Sequence, residues 1–477
     1  MGVADCFIAR GSTPTAVNIF VRARRLVQLK FVASGTESGR GAFQPKAIVI
    51  PQSETERLLG DLLVELGGLI EWNCEFLEFE QDGRAVRSRL KVGDVEQECA
   101  SDWLISCEGA HGVIREQAGF RFVGKTYPLS FLLADLHLEG ALSHGENYVW
   151  LHKNGSFAAL PLPTPQTWRL FVDVTNARNL GEASLDLIRR LMVERTGATE
   201  IKIHHPTWIS EFKIHCRLVD RYRLGRVFVA GDAAHVHSPT GGQGIVTGIQ
   251  DAVNLAWKLG RVLRGAPENL LDTYEEERRP KAAEVLKETD RTTRLLLAPD
   301  PITKLIRDLI VLPVMRSEFV QRKLFAKLAQ LHVNYRGNQL SQHYDSCLTR
   351  TILKAGDRAP DVAFRVRDKT ITLFELLRPF RPIALARFDD KTSQARIAAI
   401  KTRLRVADVA MYTFAERESD SPLDPDSLLD IHGDFARLYG MRSEFFCLIR
   451  PDGHIGLFQT PIDEDAIADY VARISPS

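Results

Sequence analysis

A chain of 477 residues is long enough for two or three domains, and its 44% hydrophobic content is that of an ordinary globular protein. Its 62 basic residues against 61 acidic ones leave a formal net charge of +1, which excludes a global field that would draw nucleic acid or an anionic membrane. No uninterrupted apolar run of about eighteen residues is present to span a bilayer, and no charged-then-apolar leader opens the chain, so a cytoplasmic protein is expected.

In chain order, Pro51-Gln52-Ser53-Glu54-Thr55-Glu56 predicts a helix start, with Ser53 as the cap and Glu56 as its capping-box partner. Leu58, Leu59, Leu62, Leu63 and Leu66 then form an apolar stripe that Gly67-Gly68 ends. Two strand-like runs joined at Gln81-Asp82-Gly83 read as a hairpin. Trp103-Leu-Ile-Ser-Cys107 reads as a buried strand that ends at Glu108-Gly109-Ala-His111-Gly112-Val-Ile-Arg115, a turn into a helix. From Phe120 to about Cys216 short alternating runs dominate, with Asn154-Gly155 as a hairpin signal, and an antiparallel second lobe is expected.

The chain returns to the first lobe at Arg226-Val-Phe-Val-Ala-Gly231-Asp232-Ala-Ala-His235-Val-His-Ser-Pro239-Thr-Gly241-Gly242-Gln243-Gly244. An apolar strand here delivers one carboxylate to its carboxyl end. A glycine-rich helix start points bare backbone N–H groups at the same spot, the arrangement by which α/β proteins hold cofactors and anions. Taken alone, Asp232 would read as a helix cap or loop residue, and His235 and His237 read as packing or surface histidines. Long charged helices are expected from Asp272 to about Leu297 and through 303–335. After Gln339 comes a polar stretch, and Ala355-Gly356-Asp357-Arg-Ala-Pro360-Asp361 opens a separate compact unit. Seven cysteines (Cys6, Cys74, Cys99, Cys107, Cys216, Cys347 and Cys447) are dispersed, with no Cys-x-x-Cys and no metal spacing, as in a reducing compartment.

With its continuation Gly248-Ile-Gln-Asp251-Ala-Val-Asn254-Leu-Ala-Trp257-Lys258-Leu, the string from Arg226 resembles the second flavin-contacting motif of the single-component FAD-dependent aromatic hydroxylases, the para-hydroxybenzoate and phenol hydroxylase group. The resemblance implies an α/β fold: an incomplete Rossmann-like FAD-binding lobe, an interleaved antiparallel substrate lobe and a C-terminal thioredoxin-like domain. The corresponding segments are 1–119 and 217–345 for the FAD-binding lobe, 120–216 for the substrate lobe and 355–477 for the tail. It implies that Asp232 holds the ribityl chain, and that Pro239, Gly241, Gly242, Gln243, Gly244 and Ile245 form the helix start at the isoalloxazine. Cys107–Arg115 resembles the family's Asp-Gly motif, with Glu108 for the usual Asp, Gly112 for the usual Ser and Arg115 retained; Val246 stands where relatives carry Asn. Gln52 matches a family Gln beside the flavin. No catalytic base and no metal ligand is nominated.

The implied reaction uses NAD(P)H to reduce FAD, and dioxygen then gives a flavin C4a-hydroperoxide that hydroxylates a phenolic or polycyclic aromatic ring. The implied partners are a small aromatic substrate and dioxygen, with a homodimer left open. Two other readings stand beside it: a non-catalytic or accessory paralogue without FAD, and another flavin reaction on the same scaffold.

The expected opening of a dinucleotide-binding lobe, a strand followed by Gly-x-Gly-x-x-Gly and a helix, is not found in this sequence. Gly35, Gly39 and Gly41 lack its spacing. Met1-Gly-Val-Ala-Asp5 resembles a string that closes a later helix in full-length relatives. The chain is therefore expected to start roughly two βαβ units of about 30 residues late, without the pyrophosphate cradle, and to bind FAD weakly or not at all by itself. In the tail, Ile383–Phe388 leads to Asp389 with no cysteine pair, and Cys447 lies in an apolar run. A separately folding, redox-silent unit is expected there.

Overall fold

The computed structural model describes residues 2–21, 24–31, 47–175, 182–239, 241–297, 300–345, 353–389, 391–414, 426–441 and 443–476. Arg22, Cys347 and the glycines at 35, 39 and 41 lie outside the described residues. Helix α1 (Ala4–Arg10) is the first element of the described residues, so Ala4 and Asp5 are its first turn. Strands β1 (Ala16–Val21) and β2 (Arg24–Lys30) follow, then helix α2 (Gln52–Glu65). The capping box expected at Ser53 does not form. Pro51 is the cap residue, which puts Ser53 inside the first turn, and Glu56 instead accepts from Gln52 Nε2 at 2.7 Å. Gly67 takes φ +82° just past the helix, as its terminating role requires.

Strands β3 (Cys74–Gln81), β4 (Val86–Val92) and β5 (Val95–Ser101) form an antiparallel meander. Its first turn is held by Asp82, which accepts from the N–H of Arg84 and Ala85. Strand β6 (Leu104–Ser106) leads through a short turn to helix α3 (Val113–Gln117). Then come β7 (Phe122–Glu139), β8 (Glu146–His152), β9 (Gly155–Pro161), β10 (Thr167–Asp173), helix α4 (Leu185–Thr196) and β11 (Lys202–Val219). Strands β12 (Arg223–Leu224), β13 (Val227–Val229) and β14 (His235–Val236) precede helices α5 (Gly244–Val262) and α6 (Asp272–Leu297).

Eight strands form the large sheet in the order β14-β11-β7-β10-β9-β8-β1-β2. The expected antiparallel lobe is present, but β1 and β2, which the sequence puts in the first lobe, are its far edge, with β1 parallel to β8. One face is packed by α4 over Leu132, Leu136, Trp168 and Leu170, all buried. β12, β13 and β6 make a separate three-stranded sheet whose β13–β6 pair is parallel. Between α6 and the tail lie α7 (Pro301–Ile306), α8 (Leu312–Val314) and α9 (Glu318–Leu328).

The tail begins earlier than its sequence texture implies. The polar stretch after Gln339 contains β15 (Gln342–Asp345), which pairs in parallel with the strand at Ile455–Thr460; residues 346–350 lie outside the described residues. A hairpin of β16 (Ala363–Val366) and β17 (Lys369–Thr372) is followed by α10 (Leu373–Leu376), whose Thr372–Glu375 capping box is complete. Then come β18 (Ile383–Arg387), α11 (Gln394–Val406), β19 (Ala410–Phe414), β20 (Ser427–Leu428), α12 (Asp434–Tyr439), β21 (Phe445–Ile449), β22 (Ile455–Thr460) and α13 (Glu464–Ile474). The parallel β18–α11–β19 unit and the antiparallel β21–β22–α13 unit share one sheet, the thioredoxin-like arrangement. Cys447 sits in the middle of β21 with no exposure, and burial pushes its thiol far up, so it is a poor nucleophile.

The tail is not insulated from the rest. Trp257, Ala266 and Leu270 from the α5 region share one apolar core with Ala384, Leu404, Phe446, Leu457 and Tyr470 of the tail.

Candidate functional site

Strands β13 and β6 run in parallel, with Val227 opposite Leu104 and Val229 opposite Ser106, so both chains leave the sheet side by side. The N–H of Ala230 donates to the Ser106 carbonyl at 3.0 Å and continues the ladder by one bond. Gly231 then takes φ +61° and starts a single 3-10 turn, Gly231–Ala233. Ala233 and Ala234 are buried and anchor the turn, while the Asp232 side chain between the sheet end and solvent is exposed. The sequence explains the turn: a glycine supplies the left-handed backbone and two alanines fit beneath it.

Helix α5 crosses this turn at contact distance. A Cβ added at Gly248 would touch Gly231 Cα at 3.4 Å. The first residue of α5 is Gly244, and its cap residue, Gln243, makes no side-chain cap bond. The first-turn amides therefore keep their partial positive charge, which a 19-residue helix concentrates at that end. Ahead of them Gly241 and Gly242 are exposed at φ +93° and +65°, and a Cβ on Gly242 would meet open space.

The carboxylate of Asp251, one turn further along α5, holds the Gly231 turn from below. Its Oδ2 accepts from the Gly231 N–H at 3.1 Å and from His235 Nε2 at 2.7 Å. Its Oδ1 accepts from Arg278 Nε at 2.7 Å. Burial pushes the Asp251 carboxyl up, and the Arg278 charge and the His235 bond outweigh it, so the group is held below its ordinary range and stays ionised.

The other residues singled out in the sequence have varied positions. Pro239 and Ile245 are exposed beside the glycines. Gln243 is buried, and its side-chain oxygen accepts from Gln330 Nε2 at 3.2 Å, so only its backbone faces the turn. Gln52 bonds within its own helix, α2, and no described contact joins it to the Asp232 turn. The Glu108 side chain is spent within the turn into α3: one oxygen accepts from Ser106 Oγ and from the first-turn N–H of Ile114, both at 2.9 Å. Its extra methylene and the missing side chain at 112 belong together, because a Cβ at Gly112 would lie 3.0 Å from that oxygen. Arg115 is buried and braces the turn, donating to the carbonyls of Gly109 and Ala110 at 3.0 and 2.8 Å.

Two features lay beyond the sequence reading. His237 donates from Nδ1 to the Ser238 carbonyl at 2.9 Å, and burial lowers its pKa, which leaves Nε2 a neutral acceptor beside Gly244; that atom is buried without a partner among the described residues. The second is a stripe of polar side chains along α5, Thr247, Asp251, Asn254, Lys258 and Arg261, every one buried. Spaced by three or four residues, they form one face of the helix. Such a stripe reads as a solvated face until its matching charges, Glu277, Arg278 and Arg450, are brought to it by the fold.

These groups can accept hydrogen bonds from sugar-type hydroxyls and let a flat ring approach the backbone. An exposed carboxylate, an open glycine pair and an uncapped helix start converge beyond the carboxyl end of β13, with an orphaned buried acceptor beside them. Among the described residues no Gly-x-Gly-x-x-Gly turn stands between a strand and a helix to hold the pyrophosphate.

Residues 1–289 match the family model described as FAD binding domain, and residues 353–474 match that of the aromatic-ring hydroxylase C-terminal region. A flavin-dependent monooxygenase of Mycobacteroides abscessus is 31% identical over 488 residues, covering 99% of this chain and 88% of that protein. The 12-dehydrotetracycline 5-monooxygenase/anhydrotetracycline 6-monooxygenase of Streptomyces rimosus is 32% identical over 425 residues, covering 86% and 77%. The solved structure of the anhydrotetracycline hydroxylase OxyS from Streptomyces rimosus superposes with a TM-score of 0.76 at 27% identity, covering 100% of this chain and 88% of that one. Among the described residues no helix is long and apolar enough to cross a membrane.

Proposed function

The chain belongs to the FAD-dependent aromatic-ring hydroxylases, and from that premise we propose that it adds one oxygen atom to a phenolic or polycyclic aromatic substrate, with NAD(P)H as reductant, in the cytoplasm. The observation that carries this reading is the exposed Asp232 carboxylate at the end of β13, next to the uncapped start of α5. A polycyclic substrate is favoured by the names of the Streptomyces rimosus relatives, which act on tetracycline-type ring systems.

Bound FAD would supply hydride acceptance and dioxygen activation, chemistry that ordinary side chains do not provide. The chain's own residues bind and orient. Asp232 accepts hydrogen bonds from the hydroxyls of the sugar-alcohol chain. Gly241 and Gly242 let a flat ring approach the backbone. The first amides of α5 favour negative charge beside them. His237 Nε2 is an acceptor for one further donor. The dispersed cysteines suit the reducing compartment in which NAD(P)H is held.

The test is direct. The purified chain is titrated with FAD, then NAD(P)H consumption is followed with simple phenols and with polycyclic phenolic substrates. Saturable flavin uptake at raised FAD concentration, substrate-stimulated NAD(P)H oxidation and a product heavier by one oxygen atom are expected. Failure to take up FAD, or NAD(P)H oxidation that no aromatic compound stimulates, would overturn the reading.

A further inference from the structure

The continuation of the flavin string, Gly248 to Lys258, is only partly used by cofactor contact. Its polar residues face away from the Asp232 side chain and into a buried network that ends in the tail. Arg278 Nη1 donates to the Tyr335 hydroxyl at 3.0 Å, and its Nη2 to the Thr247 carbonyl at 3.2 Å. The Tyr335 ring lies 4.3 Å from that of His454, and the Arg450 guanidinium stands 5.3 Å from the Tyr335 ring and 5.2 Å from that of Trp257. Arg450 pairs with Glu277, the neighbour of Arg278 on α6, at 2.6 and 2.8 Å. Glu277 also accepts from Lys258 and Asn254 at 2.8 Å each, and Asp452 accepts from Asn254 and Trp257 at 3.2 and 3.1 Å.

We propose that Asp251, Arg278 and Tyr335 are positioning residues through which the docked tail sets the cofactor-binding turn: the chain of contacts runs from Arg450 and His454 through Tyr335 and Arg278 to Asp251 and ends on the N–H of Gly231. The inference rests on the flavin reading above. Its physical basis is that Tyr335, Arg278, Asp251 and the Gly231 amide are joined by directional hydrogen bonds, while Arg450 and His454 pack against the Tyr335 ring and fix its place. Arg278 bonds Asp251 through Nε while its terminal nitrogens are fixed by Tyr335, Gln250 and Thr247, so the planar guanidinium cannot rotate without breaking several bonds. Asp251 in turn has both oxygens engaged, and one of its partners is the backbone amide that starts the Asp232 turn. Removing the tail-side partner of Arg278 therefore loosens the turn and not merely the tail. It also gives the redox-silent thioredoxin-like unit a task that needs no cysteine pair.

Asp251→Asn is the obvious variant, but it strands Arg278 and can fail to fold. Tyr335→Phe keeps the ring between Arg450 and His454 and deletes only the hydroxyl. Three measurements are made on the full chain: amide hydrogen exchange over residues 231–237 without FAD, the FAD dissociation constant with the visible spectrum of the bound flavin, and the melting temperature. Tyr335→Phe is expected to speed exchange in that segment and to weaken FAD roughly 3–10-fold, the loss of one buried hydrogen bond, with little change in melting temperature. A lowered melting temperature with unchanged exchange and FAD affinity would make the network merely structural and overturn the proposal. So would faster exchange with unaltered FAD affinity. If the unaltered chain takes up no FAD, the proposed function fails by itself, and the exchange measurement alone decides the positioning role.

Discussion

At the scale of single residues, Asp232 carries the sharpest expectation. Its side chain is exposed and lies outside the apolar cores, so it contributes to a ligand and not to packing. Asp232→Ala is expected to lower FAD affinity by about tenfold or more, the worth of a charge-assisted hydrogen bond, while the melting temperature of the free chain stays within a degree or so. Flavin fluorescence titration beside thermal unfolding reads both, and unchanged FAD affinity would remove Asp232 from the site. This residue was legible in the sequence because everything that positions it is local: the strand before it, Gly231 at its shoulder, and the glycines that follow within a dozen residues. Asp251 stood in the same string, yet its role was not legible. Its partners are Arg278, 27 positions on, and the backbone of Gly231, 20 positions back, and no spacing rule joins them. Glu108 looked like a flaw in its motif. In the fold its added length fills the place that Gly112 vacates.

At the scale of elements, helix α5 illustrates how a periodic pattern can be right about the helix and misleading about its surroundings. The sequence predicts a helix that starts after the glycines, and it runs from Gly244 to Val262, but polar side chains at 247, 251, 254, 258 and 261 suggest water on that face. They are instead buried against α6 and the tail, where Arg261 donates to the carbonyls of Ala407 and Asp408 at 2.7 and 2.8 Å. Glu277 on α6 is the centre of this arrangement. Burial pushes its carboxyl up, but the Arg450 and Lys258 charges outweigh this and hold it at about 2, against an ordinary 4.5. A carboxyl depressed in the folded state contributes stability that is complete above the unfolded value and fades as pH falls through the folded one. Acid unfolding should therefore draw on Glu277 between pH 4.5 and about 2. Glu277→Gln leaves two buried cations short of a partner and should destabilise the chain at neutral pH by about 3–5 kcal/mol. The same variant should flatten the acid limb of a plot of melting temperature against pH. A variant as stable as the parent at pH 7, with an unaltered acid limb, would show that the pair is not a source of stability. The large sheet was legible in outline, since its alternating runs and the Asn154-Gly155 hairpin are local signals. Strands β1 and β2 were not, because β1 pairs in parallel with β8, a strand that starts 130 residues after it.

At the scale of the whole molecule, the tail looked separable from its sequence texture, and the fold argues otherwise. Its inner core, around Phe364, Leu385, Phe435 and Phe458, is its own, but its second core is shared with Trp257, Ala266 and Leu270. Cut free, residues 353–476 would expose that second core and strand Arg450 without Glu277. The fragment is expected to melt well below the intact chain, and the intact chain to unfold in one cooperative transition. A fragment that melts as high as the parent would show the shared core to be incidental. The long strands β7 and β11 join the other two parts in a comparable way. Each has 18 residues, so each runs roughly 60 Å, and they pair for most of that length. At one end of the pair Leu132 to Leu138 of β7 line the core under α4, while at the other Leu218 of β11 pairs with His235, three residues from Asp232. Gly124 lets the two backbones close up there, since a Cβ would fall 2.1 Å from the Cys216 carbonyl oxygen. Descendants of such a molecule face unequal constraints. A substitution along β7 or β11 is felt at once by the core under α4 and by the turn that carries Asp232, whereas one in β8, β9 or β10, which lie between β7 and β1 in the sheet, reaches only the former, so divergence among relatives should be concentrated in β8 to β10.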